Sequence, residues 1–165
     1  MDVCEENVYN MIKEYAKTNS LIQTVSGCFG FPTNLCVDGA VLLTHYVPMI
    51  NNIRNVYNLG SADMSAVIPV LKGSITVLLA DVLFDKFVSN IPLVGIVSNY
   101  ICAKILTWRL GLLFGYLSKH NLEINGENVK KVIEKMQEMI KIRTVIGIKT
   151  HSRSVVSNFF NLKMF

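Results

Sequence analysis

The sequence predicts an all-α protein, a compact bundle of about five to six helices with a long apolar helical hairpin and a basic C-terminal tail. Three observations lead there. Apolar residues recur at helical spacing along most of the chain, and no strand-like alternation recurs. The breaks between apolar stretches are made of helix stops and caps. Hydrophobic residues make up 51% of the chain and charged residues 17%, against roughly 25% charged in an ordinary soluble domain. At 165 residues the chain can hold one sizeable core without staples. The expected division is a single helical domain over 1–140 and a basic, apolar tail over 141–165.

The elements follow in order. Asp2 can cap a helix with the stripe Val3, Val8, Met11, Ile12 and Tyr15, and Glu5 and Glu6 favour its first turn. Thr18, Asn19 and Ser20 can interrupt or re-cap it before a second stripe of Leu21, Ile22, Val25, Cys28 and Phe29. Gly27 and Gly30, then Phe31-Pro32-Thr33-Asn34, mark a turn. Helix resumes near Leu35 and runs toward Tyr57, with a kink or split expected at Pro48. Asn58-Leu59-Gly60 stops it, and Ser61 or Asp63 caps the next helix. That helix reaches about Phe87; Pro69 suits only a first turn, which puts the expected start close to Ile68.

Ser89-Asn90-Ile91-Pro92 is the next break. Pro92 opens the longest apolar helix, which ends around Ser118 to His120 and in which Gly95, Gly111 and Gly115 permit close helix contact. Asn125 can cap an amphipathic helix with Val129, Val132, Ile133, Met136 and Ile140 on one face and a Glu127–Lys131 pair on the other. From Arg143 onward, strand, continued helix and disorder all fit the pattern. Ile68-Pro69 and Ile91-Pro92 echo one another, but two elements do not make a repeat.

Charge is uneven. The net charge is +4, and after Glu138 no acidic residue occurs while Lys141, Arg143, Lys149, Arg153 and Lys163 follow. Such an arm suits an anionic membrane surface or nucleic acid, or is a solvated tail. Phe159-Phe160 and Met164-Phe165 beside Lys163 would anchor it to a bilayer or dock it in a partner's groove. The cysteines, Cys4, Cys28, Cys36 and Cys102, have no metal or redox spacing and read as free thiols of a reducing compartment. The opening residues are acidic and polar, unlike a secretory leader. The expected location is the cytoplasm or the cytoplasmic face of a membrane.

Chemistry is sparse. Leu71-Lys72-Gly73-Ser74 holds P-loop residues in the wrong order. His45, His120 and His151 are far apart, with no Cys or carboxylate at ligand spacing. Ser26-Gly27-Cys28-Phe29-Gly30 lacks a partnered base, and nothing fixes Cys28 near His45. Asp81 and Asp85 share a helical face that Lys86 can balance. No enzyme, cofactor or metal is predicted. A membrane span needs roughly 20 mostly apolar residues. Asp38 and Arg54, Lys72 and Asp81, and Lys104 and Arg109 interrupt the three apolar stretches. A soluble or peripheral bundle accommodates these charges at helix ends; an inserted hairpin of 64–87 and 92–118 would need them paired, for example Asp81 with Lys104 or Arg109.

The order of features from about residue 20 to 118 resembles the helical domain of unknown function that accompanies some GTPases, typified by YcjF-like bacterial proteins. The helical part of immunity-related GTPases has a similar rhythm. The markers are Gly30-Phe31-Pro32, Asp38, Tyr57 and Gly60, then Ile91-Pro92-Leu93-Val94-Gly95 and Thr107-Trp108-Arg109-Leu110-Gly111. Ile101, Leu106 and Trp108 depart from the usual small residues, and no GTPase domain is attached. The resemblance implies a helical bundle working near membranes, with any GTPase acting in trans, and it transfers no site residues.

The function expected from all this is a non-enzymatic, membrane-associated interaction module with a protein partner such as a GTPase. The alternative is an integral or membrane-inserting hairpin protein, a pore or small membrane component. Homo-oligomers are a further partner class; nucleic acid ranks below these. Trp108 and Arg109 are the candidates for partner or lipid contact. Lys141, Arg143, Lys149 and Arg153 are the candidates for anionic attraction, and Asp38 and Arg54 for a groove-lining or structural polar role.

Overall fold

In the computed structural model, residues 1–26, 42–88, 96–141 and 152–164 are described. Among them the chain is all-helical: α1 (Val3–Ser26), a π-helical turn (Leu42–Tyr46), α2 (Val47–Val56), α3 (Met64–Val88), α4 (Ile96–Lys119), α5 (Gly126–Lys141) and α6 (Arg153–Phe160).

α1 starts where its sequence asks it to. The Glu5 amide donates to Asp2 Oδ1 at 2.8 Å, and the Asp2 amide donates back to Glu5 Oε2 at 3.2 Å. This reciprocal capping box satisfies amides that the first turn would otherwise leave open. The break expected at 18–20 is absent, and α1 runs on to Ser26. The helix does not unwind there: Ser20 Oγ donates to the Lys17 carbonyl at 2.8 Å, and Asn19 Nδ2 donates to Thr107 Oγ1 at 3.3 Å, while Asn19 Oδ1 is buried without a partner.

Pro48 falls in the first turn of α2, where its missing N–H removes no helical bond. Just ahead of it the winding widens to the π-helical turn. The stop after α2 has the expected form: Asn58 and Gly60 take φ of 58° and 66°, a left-handed conformation that glycine adopts without strain. Asp63 caps α3 by accepting from the Ser65 amide at 2.9 Å. α3 therefore begins at Met64 rather than Ile68, and Pro69 lies inside it. Pro69 is exposed, so the carbonyl it leaves without a helical donor can be hydrated. Asn125 caps α5 by accepting from the Asn128 amide at 2.9 Å. Val129, Val132, Ile133 and Met136 face inward, and Lys131 and Glu127 pair outside at 2.8 Å.

α4 is the axis of the bundle. It touches every other α-helix, and every residue from Leu106 to Ser118 is buried. A helix apolar on all sides must be enclosed on all sides, and here five helices of the same chain do it. The apolar hairpin expected from 64–87 and 92–118 is corrected accordingly. Its helices exist as α3 and α4 and meet, but α4 packs most extensively on α1. The two do not form a unit of their own. No helix among the described residues is long and apolar enough to cross a membrane.

α1 and α4 run antiparallel, since Glu5 meets Lys119 at one end and Asn19 meets Thr107 at the other. Between these ends the glycines are needed. A Cβ on Gly111 would stand 2.6 Å from Ile12 Cγ1, and one on Gly115 would stand 2.8 Å from Phe160 Cζ. Only hydrogen at these positions lets α1 and α6 approach α4 so closely.

Candidate functional site

Two places in the described structure differ from plain helix packing. The first is a polar cluster where the start of α1, the end of α4 and the whole of α6 converge. Glu5 is 1% exposed. Its Oε1 accepts from Lys119 Nζ and from Asn161 Nδ2 at 3.3 Å. Its Oε2 accepts from the Asp2 amide at 3.2 Å and from Ser157 Oγ at 3.4 Å. Each oxygen thus has two donors, which fills the acceptor capacity of a carboxylate. The cluster is structural chemistry: it charges, orients and locks helix ends.

The surroundings extend the lock. Lys119 Nζ also donates to Asn161 Oδ1 at 2.7 Å, and Tyr116 Oη donates to the Leu162 carbonyl at 2.8 Å. His120 Nε2 lies 2.9 Å from the Phe160 carbonyl, so this nitrogen carries the proton and donates. Burial raises the Tyr116 hydroxyl above its ordinary pKa. Tyr57 is also raised, first by burial and then by the negative charges of Asp2 and Glu5. Its hydroxyl is buried without a hydrogen-bond partner.

The second place is the opposite end of the bundle. Asn52 Nδ2 donates to Tyr15 Oη at 2.8 Å, and the charges of Asp2 and Glu5 act on Tyr57. α2 therefore runs antiparallel to α1, which puts Leu43 at the same end as Leu21 and Ile22. Leu21 is 52% exposed, Ile22 38% and Leu43 49%. Met1, Val3 and Val77 are exposed elsewhere; three large apolar side chains at one end of a bundle are the kind of surface that meets partners.

The residues singled out from sequence fall as follows. Trp108 and Arg109 are 3% and 2% exposed, so the expected partner or lipid contact is corrected to a core role. Trp108 packs against the Tyr9 ring at 5.3 Å between centroids. Arg109 reaches inward, where its Nη1 donates to the Leu78 carbonyl at 3.4 Å. Their helix is encircled, and no face of it between Leu106 and Ser118 is left for a surface role. Arg54 is structural: its Nε and Nη2 donate to the carbonyls of Gly60 and Leu59 at 3.0 and 3.3 Å, clasping the turn after α2. Arg153 is tied to α1, pairing with Glu6 at 2.6 Å and lying 5.6 Å from the Tyr9 ring centroid. Asp38, Arg143 and Lys149 lie outside the described residues, as does the side chain of Lys141.

The expected tail is also revised over 153–160. This stretch is helix α6, and Val156, Phe159 and Phe160 are buried in the protein's own core. Phe159 and Phe160 are therefore not available as bilayer anchors. Ser157 and Asn161 were not legible as partners of Glu5. The spacing Asp2-x-x-Glu5 announces a cap, but nothing local announces that the same carboxylate receives a helix from the far end of the sequence.

Among the described residues no group of three or more His, Cys, Asp or Glu could hold a metal ion. Cys4 and Cys102 are free thiols; Cys28 and Cys36 lie outside the described residues. No family model matches the chain, and no curated protein or solved structure matches it.

Proposed function

We propose that this bundle is a non-enzymatic interaction module that receives a protein partner on the end carrying Leu21, Ile22 and Leu43. The observation that carries the reading is the exposure of these three side chains beside a core that already encloses α4 from Leu106 to Ser118. The resemblance to GTPase-associated helical domains nominates a GTPase acting in trans as the partner class. The net charge of +4 nominates an anionic membrane surface as the setting. The inserted-hairpin reading has no observation in its favour among the described residues.

The test compares the full chain with a Leu21→Lys/Leu43→Lys variant whose helicity is verified by circular dichroism. Both are crosslinked in cells, and the captured proteins are identified. The reading expects a reproducible partner that the variant loses. A variant that retains every partner of the wild type overturns it. Co-sedimentation with phosphatidylserine vesicles tests the setting separately; binding that weakens as salt rises supports it, and no binding at low salt removes it.

A further inference from the structure

We propose that α6 is a releasable latch, a helix that leaves the bundle as a unit while α1 to α5 stay folded. The reason lies in how its seat is built. The α1–α4 seam is apolar between its ends, with Ile12 pressed onto Gly111, the Glu5–Lys119 pair at one end and the Asn19–Thr107 bond at the other. The seat of α6 joins a small apolar set, Val156, Phe159 and Phe160 with Leu162 and Met164 partly buried just beyond the helix, to a dense polar ring. In that ring Ser157 and Asn161 meet Glu5, and Asn161 meets Lys119. Arg153 meets Glu6, Tyr116 meets the Leu162 carbonyl, and His120 meets the Phe160 carbonyl.

Contacts between polar groups exchange for water at little net loss, whereas apolar burial does not. Opening α6 hydrates Glu5, Lys119, Glu6 and Arg153 together, and Glu5 keeps Lys119 and the Asp2 amide as partners. An interface of this make-up resembles the more polar contacts between movable domains rather than an obligate core. α6 is also only 8 residues long, too short to persist as a helix once detached. Opening the latch therefore recovers chain entropy as well as hydration, and it uncovers a groove lined by Val8, Gly115 and Tyr116. The release of α6 does not require that the apolar end bind anything.

Hydrogen–deuterium exchange of the full chain, read by mass spectrometry, tests this. Amides of 155–160 are expected to exchange on the order of a hundredfold or more faster than those of 106–116, through an opening that leaves the latter protected. Glu5→Gln removes the charge that binds the polar ring while keeping the side chain's shape. It is expected to speed exchange in α6 by about tenfold with α5 unchanged. Equal protection of α6 and α4 in the wild type overturns the proposal. So does a Glu5→Gln variant in which all helices speed up together. Should that variant fail to fold, the wild-type profile alone decides.

Discussion

The α1–α4 seam and the seat of α6 both bring a helix onto the same face of α4, yet they are held differently. At the seam the approach is set by Gly111, and Ile12 fills the space a side chain would take. At the seat Phe160 uses Gly115 in the same way, but a ring of polar contacts centred on Glu5 surrounds it. Close packing along a long apolar stretch, with polar contacts only at its two ends, binds a helix to the global fold. Close packing inside a wet rim makes a helix that can part from it. The difference shows that burial alone does not rank the helices by persistence; what surrounds the buried residues does.

Four substitutions break or sharpen this contrast, from the largest expected effect to the smallest. Gly111→Leu drives a side chain into Ile12, which is fully buried. It is expected to lower stability by about 3 kcal/mol or more and to do so globally. Chemical denaturation should show a loss in midpoint, and hydrogen exchange should speed in every helix.

Phe160→Ala empties the cradle over Gly115. Its local cost is about 3 kcal/mol, but the loss should fall on α6 first, with α6 amides losing protection before those of α1. A uniform loss across all helices would erase the distinction between seam and seat.

Tyr57→Phe removes a buried hydroxyl that has no partner. The variant should be more stable than the wild type at neutral pH by about 1 kcal/mol. The wild-type hydroxyl is raised from its ordinary value of 10.0 by burial. Its neutral form is favoured on folding, so this contribution is complete below the unfolded value and is lost as pH rises through the folded one. Tyr57→Phe should therefore flatten the alkaline limb of the stability curve, measured by thermal unfolding across pH.

Glu127→Gln is the control, far from both interfaces on the exposed face of α5. The hydrogen bond and charge of Lys131 hold the Glu127 carboxyl below its ordinary value. The associated stability is present above the unfolded value and fades as pH falls through the folded one. The variant should lose a little stability at neutral pH, with the difference vanishing in acid, in urea midpoints measured at both pH values.

How much of this was readable beforehand depends on the range of the interaction. The caps at Asp2 and Asn125, the stop at Asn58–Gly60 and the inward stripe of α5 are decided by residues within a turn of one another, and each was legible. The partners of α4 were not. A continuous apolar helix announces that it must be covered, but its sequence does not say by what, and Trp108-Arg109 looked like a surface pair for that reason. Arg109 is buried, and one of its partners is the Leu78 carbonyl, remote in sequence. Asn19 and Ser20 looked like a break because a polar pair in a helix often is one; here Thr107 across the seam takes up the first. Of the basic arm, residues 152–164 are described, and there the charge pattern alone gives no sign that Arg153 answers Glu6 or that Phe159 and Phe160 complete the core.

The capping box at the head of α1 has one more consequence. Glu5 can grip Ser157, 152 positions away, only while its own backbone is wound into the first turn that Asp2 closes. Winding at one extremity and docking at the other are thus thermodynamically linked. An Asp2→Ala change, which touches nothing in α6, should loosen α6 as it frays α1, and a spectroscopic label near residue 157 would register events at residue 2.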